Sequence, residues 1–381
     1  MWPRLEWVLV VWTALAGCWW VVAFCLVRSR LKIAPTKWAT RNSLTVFKPL
    51  PALREAAPSP DQIAALESVV SQLDDTSELL LGIEEPDGAR WQPVVDDWRR
   101  RFPRAKLKVV CTPRPAAFLS PKVSWHHRLA REAEGELWLW SDADMIAPPG
   151  FLQAVREEFV GSGASLVTCP YVIRRVEAAP GMLEALFANV EFYPGVLACA
   201  AAGRVRFAFG AGLFFRADEF RRRVAWEELG ARMADDYLMG NRLTPVKVSD
   251  ITLETLAAET GWRNAGLHYL RWHKTVRWNR PGGYAGQLII LPVLGWLLAA
   301  LWQPTVSWWW IGLAATIQME AVAAGLLCRS VGCRLRHWWT VELWPLARAL
   351  TWLACWLPWP VVFRSQNRVW WSLYRCTGEN P

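Results

Sequence analysis

A chain of 381 residues that is 53% hydrophobic yet carries a net charge of +9 is built unlike an ordinary soluble globule. Its 28 tryptophans set the basic charge in a context that argues against a nucleic-acid stripe and for a membrane protein with cationic cytoplasmic flanks. Nine cysteines with no Cys-x-x-Cys pair argue against a full disulfide framework and zinc ligation, and fit a reducing cytosolic face.

Residues 7–27 are almost wholly apolar and long enough to span a bilayer. Arg28, Arg30, Lys32, Lys37, Arg41 and Lys48 follow, so that side is expected to be cytoplasmic. A cleaved signal peptide is the rival reading, and Leu15-Ala16-Gly17-Cys18 has the form of a lipoprotein cleavage box. Against it, the apolar run continues through Trp19, Trp20 and Phe24.

From Leu44 the pattern alternates. Strands are expected over 44–50, 78–83, 107–111 and 136–140, and helices over 62–72, 94–102, 124–134 and 150–159. A turn containing Asp87 closes the second strand, and Pro148 and Pro149 stand where a helix can start. This alternation implies right-handed crossovers and a parallel sheet, the architecture of a nucleotide-binding domain. Further strands are expected over 165–171 and 246–253, with a turn at Gly210 and Gly212 beside a strand. The mostly apolar stretch 183–201 either lies on the membrane or lines an acceptor cleft. Residues 266–280 form a dense basic-aromatic segment.

Residues 287–302 and 308–327 are apolar runs broken at Pro304 and read as a membrane hairpin. The hairpin returns to a cationic loop with Arg329, Arg334 and Arg336. Residues 338–363 contain Glu342, Arg348, Pro358 and Pro360, which suit an amphipathic interfacial helix better than a crossing. The basic-aromatic stretch 364–375 is expected to return to the cytosol. The expected organisation is a transmembrane anchor over 1–30, a cytosolic domain over 40–285, and a membrane hairpin with an interfacial tail over 286–381.

The candidate chemistry centres on Asp142 and Asp144, which follow the apolar strand ending at Trp140. Ligands of open α/β sheets bind beyond the carboxyl ends of strands. Two carboxylates there repel each other unless a cation sits between them, and a divalent ion bridging a diphosphate is the simplest candidate. Taken alone, the pair reads first as a solvated acidic turn, and the rest of the chain decides. Asp235 and Asp236 alone are two acids in the first turn of a helix. Arg271 and Trp272 alone are an interfacial anchor, together with Lys274, Arg277 and Trp278.

The order of Asp87, Asp142-x-Asp144, Asp235-Asp236 and His268-x-x-Arg271-Trp272, ahead of a membrane hairpin, resembles the membrane-bound family 2/21-type glycosyltransferases of GT-A fold. More narrowly, it resembles the ceramide glucosyltransferase family and its bacterial lipid glycosyltransferase relatives. Three local matches carry the narrower resemblance: Pro121-Lys122-Val123-Ser124, Leu166-Val167-Thr168 with Tyr171, and Arg271-Trp272-x-x-Thr275-x-Arg277 followed by Arg280-Pro281-x-Gly283-Tyr284. The likeness covers about residues 40–290 and, loosely, the membrane tail.

The resemblance implies an α/β GT-A domain with a mostly parallel central sheet. It implies inverting transfer of one sugar, glucose or N-acetylglucosamine, from a UDP-sugar to a lipid hydroxyl such as that of ceramide or a hopanoid. Under it, Asp87 contacts the base or ribose, and Asp142 binds the ribose-diphosphate region. Asp144, with Asp142, holds Mg²⁺ or Mn²⁺. Asp236 is the base, with its neighbour Asp235 as the other candidate. Lys122 either pairs with the diphosphate or caps a loop. Arg271 forks onto the diphosphate, and Trp272 stacks on a sugar or walls off the acceptor site. His268 stands where the family writes Gln or Arg, which weakens any role for it. A nucleic-acid partner is not expected. The alternatives are a processive polysaccharide synthase, which needs a translocation channel, and an inactive membrane scaffold with the same fold.

Overall fold

The computed structural model describes residues 3–30, 42–53, 55–203, 205–257, 259–363, 368–373 and 376–377. The chain begins with α1 (Pro3–Arg30), a 28-residue apolar helix ending on Arg28 and Arg30. The expected flanking cations Lys32, Lys37 and Arg41 lie outside the described residues.

Alternating elements follow: β1 (Leu44–Pro49), α2 (Pro60–Val70), β2 (Ser77–Glu84), α3 (Glu85–Arg101), β3 (Lys106–Thr112), α4 (Pro121–Leu129) and β4 (Leu137–Trp140). A capping box between Ser59 and Gln62 starts α2. The chain continues through α5 (Phe151–Ser162), β5 (Leu166–Thr168), β6 (Tyr171–Val176) and α6 (Gly181–Leu186). A π-helical turn (Phe187–Phe192) leads into α7 (Tyr193–Ala201), then β7 (Leu213–Arg216), α8 (Ala217–Arg223), α9 (Trp226–Gly230), α10 (Asp235–Arg242), β8 (Val246–Val248) and β9 (Leu253–Ala257).

Seven strands form one sheet in the order β3-β2-β1-β4-β7-β5-β8. Neighbours are parallel except at β7, which runs antiparallel to β4 and β5. Adjacent residues of each strand point to opposite faces. Val46, Leu79, Leu81 and Leu139 pack on one face with Trp91, Trp98 and Phe151. Phe47, Leu80, Trp138 and Trp140 pack on the other with Trp125, Phe215 and Phe220. Burial on both faces explains why these strands are continuous apolar runs rather than alternating ones.

Two expected strands are each divided. The 165–171 strand breaks at Cys169-Pro170, and the 246–253 strand breaks before Leu253. Their first parts, β5 and β8, lie in the main sheet, and their second parts, β6 and β9, form a separate parallel pair. The chains stay neighbours across the break, because Ser249 N–H donates to Thr168 O at 2.8 Å and Leu253 N–H to Pro170 O at 2.8 Å. Pro170 offers no N–H to a ladder, so the strand has to turn there.

Beyond β9 come α11 (Trp262–Asn279), α12 (Pro281–Gly286), a 3₁₀ turn (Gln287–Ile290), α13 (Pro292–Trp302), α14 (Ser307–Ser330) and α15 (Trp339–Ala354). The short strands β10 (Val361–Phe363), β11 (Arg368–Trp370) and β12 (Cys376–Thr377) form a small antiparallel sheet. The expected cytosolic stretch 364–375 is described only over 368–373.

Among the described residues, Leu5–Arg30 and Ser307–Ser330 are long and apolar enough to cross a membrane. A third crossing exists if Pro281–Ile290 and Pro292–Trp302, bent by 66°, form one span. Helices α13 and α14 close on each other at Gly312, where a Cβ would fall 2.2 Å from the Trp296 ring. Helix α15 is amphipathic, but in an unexpected sense. Arg348 turns inward onto Glu320 of α14 at 3.3 Å, with side chains 3% and 0% exposed, while Leu343, Leu350 and Leu353 face out. A charge buried in apolar surroundings needs a partner, and α14 supplies it.

Candidate active site

Strand order reverses beside β1: the chain runs outward to β2 and β3, then returns to place β4 on the other side of β1. Such a switch point opens a crevice beyond the carboxyl ends of the two central strands. Lys48, at the end of β1, is wholly buried there. Its Nζ donates to Ser141 Oγ at 3.0 Å and to Asp142 O at 2.6 Å. Lys48 is therefore not one of the membrane-flanking cations among which its sequence position placed it. A fully buried ammonium cannot reach lipid headgroups, whereas here it braces the acidic loop. Burial lowers its pKa to about 8, against the opposing pull of Asp144 and Asp142.

Asp142 meets the Lys122 ammonium of α4 at 2.5 Å. Burial pulls that ammonium down, but Asp142, Asp235 and Asp236 outweigh burial and hold it charged above its ordinary range. Gly210 makes this meeting possible, because a Cβ there would lie 2.5 Å from Lys122 Nζ and 3.2 Å from Asp142 Oδ2. Its N–H donates to Asp236 Oδ2 at 3.0 Å, and Tyr237 N–H donates to Asp236 Oδ1 at 2.7 Å. Burial, and then the neighbouring Asp235, push the Asp236 carboxyl up to about 7. Asp144 accepts from Thr255 of β9 at 3.1 Å, and burial followed by Asp142 raises its pKa.

These groups face a cleft of about 630 Å³. Asp142, Asp144, Gly210 and Asp236 form the sheet wall. The opposite wall comes from α6, the π-helical turn, α7 and α11. His268, Arg271, Trp272, Thr275, Val276 and Asn279 all line the cleft. Their spacing places them on one face of a helix.

Lys274 and Arg277 serve another purpose. Lys274 donates to the carbonyls of Leu357 (3.0 Å) and Trp359, and Arg277 to Cys355 O at 2.5 Å. They satisfy carbonyls at and just beyond the C-terminal end of α15, which favours cations. The anchoring reading of this segment thus belongs to Lys274 and Arg277, while Arg271 and Trp272 face the cleft.

Trp272 stacks on Phe187 at 4.7 Å and lies 4.0 Å from the His268 ring. His268 pairs through Nδ1 with Glu184. Burial pulls the imidazole below its ordinary range while Glu184 opposes it. Burial brings the Arg271 guanidinium down to about 10, against Glu184 and Tyr171.

Three of the site residues expected from the sequence do not line the cleft: Lys122, which meets it only through Asp142, and Asp87 and Asp235. Asp87 is in the first turn of α3 rather than in an open turn. It is buried, accepts from Leu53 N–H at 2.8 Å and pairs with Arg90 at 3.0 Å. Asp235 is buried behind Asp236, and its Oδ2 has no hydrogen-bond partner among the described residues.

Other residues joined the site without a sequence signal strong enough to single them out. Lys48 looked like a flanking charge, and Thr255 like an ordinary strand residue. Glu184 and Glu191 were legible only as carboxylates in an otherwise apolar stretch. Glu191, on the π-helical turn, accepts from Tyr269 and from Trp344 Nε1 at 3.2 Å, and faces His273 Nε2 at 3.3 Å. Burial raises its pKa, yet His273 and the other donors hold it below the usual carboxylate range.

Asp142 and Asp144 offer hard oxygen donors. Among the described residues, no group of three His, Cys, Asp or Glu could hold a metal by itself. Two carboxylates suit a cation that completes its shell from a diphosphate and water.

The sequence model of glycosyl transferase family 21 matches residues 6–371. No curated protein sequence matches the chain. A solved mannosyltransferase from Pyrobaculum calidifontis, in complex with GDP-Man and Mn²⁺, aligns at 18% identity and a TM-score of 0.47, covering 92% of this chain and 99% of that one. TarS from S. aureus aligns at 14% identity and a TM-score of 0.38, covering 79% of this chain and 55% of that one. Its 1–349 form, in complex with UDP-GlcNAc, aligns at 12% identity and a TM-score of 0.37, covering 81% and 90%.

Proposed function

The chain belongs to glycosyl transferase family 21, and from that membership we propose an inverting, membrane-anchored transfer of one sugar from a UDP-sugar to a lipid hydroxyl. The donor is UDP-glucose or UDP-N-acetylglucosamine, and the acceptor a lipid such as ceramide or a hopanoid. The observation that carries this reading is the gathering of Asp142, Asp144, Asp236, Arg271 and Trp272 on one cleft. Sequence separations of up to 130 residues collapse there to opposite walls of one cavity.

Each residue has a part. Asp142 and Asp144 would hold Mg²⁺ or Mn²⁺ against the donor diphosphate. That cation, when bound, supplies Lewis-acid stabilisation of the charge on the leaving nucleoside diphosphate. Arg271 forks onto the same phosphates. The nucleoside end of the donor lies toward Asp87 and the Leu53 amide it holds. Asp236 takes the proton of the acceptor hydroxyl as its oxygen attacks the anomeric carbon, and the bond from that carbon to the diphosphate breaks. Asp235 acts on Asp236 through its charge, since it does not line the cleft. Trp272, fixed against Phe187, walls the acceptor side.

Helix α1 and the α13–α14 hairpin hold the catalytic domain on the cytosolic face, where the donor is. Up to three candidate crossings among the described residues favour a single transfer over a processive synthase with its own channel.

Membranes containing the wild type, Asp144→Ala or Asp236→Ala test the reading with labelled UDP-sugar. A single-sugar glycolipid made only by the wild type is expected. Equal inactivity of all three on every lipid offered would remove the enzymatic reading, and a long polymer would replace it with the synthase.

A further inference from the structure

The cleft changes character with distance from its carboxylates. Its lining includes Phe192, Gly195, Val196 and Cys199 at and after the π-helical turn. From α11 to the 3₁₀ turn it includes Val276, Asn279, Arg280, Gly283 and Gln287, with the Arg280 guanidinium lying over the Phe207 ring at 5.6 Å. We propose that this apolar end is a lateral port into the bilayer, in which one hydrocarbon chain of the acceptor lies while its hydroxyl reaches Asp236. The proposal rests on the transferase reading above and adds where the lipid enters and how it is measured.

Depth along α1 locates the port. Gln287 lines the cleft and opens the 3₁₀ turn. The next two carbonyls of that turn, Leu288 O and Ile289 O, accept from Trp12 Nε1 of α1 at 3.1 and 2.8 Å. At 1.5 Å per residue, Trp12 lies about 27 Å along the helix from Arg30. The Gln287 side of this end therefore sits beside the apolar length of the candidate span. Helix α7 lies along the last turns of α1, where Leu197 and Ala200 share a cavity lining with Leu26, Ser29 and Arg30, and the carboxylate end sits at the sheet. The Leu288 and Ile289 side chains are 37% and 61% exposed.

The backbone points the same way. The 3₁₀ turn belongs to the helix pair bent by 66°. Irregular backbone at membrane depth is tolerated where it lines a cavity or is covered by protein, and here the first residue of the turn, Gln287, lines the cleft.

Both walls are also kept low. A Cβ at Gly195 would meet nothing within 4 Å, and one at Gly283 only Arg280 Cβ at 3.7 Å. A Cβ is therefore accommodated at both positions without disturbing the surrounding fold, which makes them the places to narrow this end of the cleft.

The test uses the full chain in native membranes and compares Gly195→Leu and Gly283→Leu with Gly161→Leu. Gly161, on α5, likewise has nothing within 4 Å but lies away from the cleft. Transfer to a long-chain hydroxylated lipid is expected to fall at least tenfold in the first two and to stay at wild-type level in the third, with nucleotide affinity unchanged throughout. A second measurement offers solubilised wild type a series of acceptors with one headgroup and growing chain. KM is expected to fall about fourfold per added methylene until the port is full, and Gly195→Leu to flatten that slope.

Wild-type transfer by both cleft variants, or a chain-length dependence that Gly195→Leu leaves untouched, overturns the port and leaves the transferase standing. If both leucine variants fail to bind nucleotide, the chain series on the wild type decides, and a flat series overturns the port. Failure of the wild type to glycosylate any amphiphile, despite binding UDP-sugar, overturns both.

Discussion

The two walls of the cleft hold their functional groups by different physics. On the sheet wall each carboxylate that lines the cleft is held by a group that answers its charge or donates a hydrogen bond to it. Lys122 sits on Asp142, Thr255 on Asp144, and two backbone amides on Asp236. The opposite wall combines shape with binding groups: Trp272 stacks on Phe187, His268 pairs with Glu184 and Arg271 faces the cleft, on a helix whose other side is steered by caps and packing elsewhere. Charge on the first wall therefore sets chemistry, while the second sets what fits. Substitutions on the sheet wall should act on rate, and those on the helical wall on binding and stability.

The largest effects test the first half of that contrast. Asp236→Asn should cut transfer by about 10²–10⁴-fold, the usual worth of a positioned base, with nucleotide affinity preserved by calorimetry. Asp144→Ala should cut transfer by a similar factor and also abolish the Mg²⁺ or Mn²⁺ dependence of nucleotide binding. If Asp236→Asn instead weakened donor binding and left the rate per bound donor intact, the division between walls would be drawn in the wrong place.

Arg271→Lys comes next. It keeps the charge but loses the planar fork. A rise in donor KM of about tenfold, equivalent to about 1.4 kcal/mol, is expected with little change in kcat.

The pH profile sharpens the sheet wall further. Asp236 works ionised, so transfer should rise as pH passes through about 7. Asp235 is the second cause of that raised value after burial. Asp235→Asn should therefore move the acid limb to lower pH, and a limb that stays put would show that Asp235 does not act through its charge. For stability the sign is opposite. A carboxyl whose pKa is higher folded than unfolded gives a contribution that is full below the unfolded value of 3.8 and lost as pH rises to about 7. Chemical denaturation at pH 5 and pH 8 should show this component declining.

The smallest effect on transfer lies farthest from the chemistry. Lys274→Ala leaves the carbonyls of Leu357 and Trp359 without their donor. A loss of about 1–3 kcal/mol in stability is expected by thermal unfolding, with the KM for donor unchanged.

Much of this molecule was legible in its amino acids. The apolar helix 7–27, the alternating strands and helices, and the strand that delivers Asp142 and Asp144 follow from spacing over two to four residues, which is local physics. The cleft-facing side of α11 is the same kind of signal, since residues 268, 271, 272, 275, 276 and 279 repeat at helical period. Local spacing did not reveal which partner each residue would meet. Lys48 reads as one more cation after a membrane helix until β1 and β4 are set side by side. Asp235 and Asp236 are identical in type and adjacent, and only the close approach of Gly210 to α10 turns one toward the cleft and buries the other. Cys169-Pro170 and the segment before Leu253 sit in separate parts of the chain, and their shared break appears only when the two strands pair. The depth of the apolar end of the cleft is set by a contact between Trp12 and residues near position 288. Patterns within a helix or strand are written by neighbours in sequence. A site assembled from strand ends, a π-helical turn and a membrane helix is decided by packing between segments hundreds of residues apart, which local periodicity does not encode.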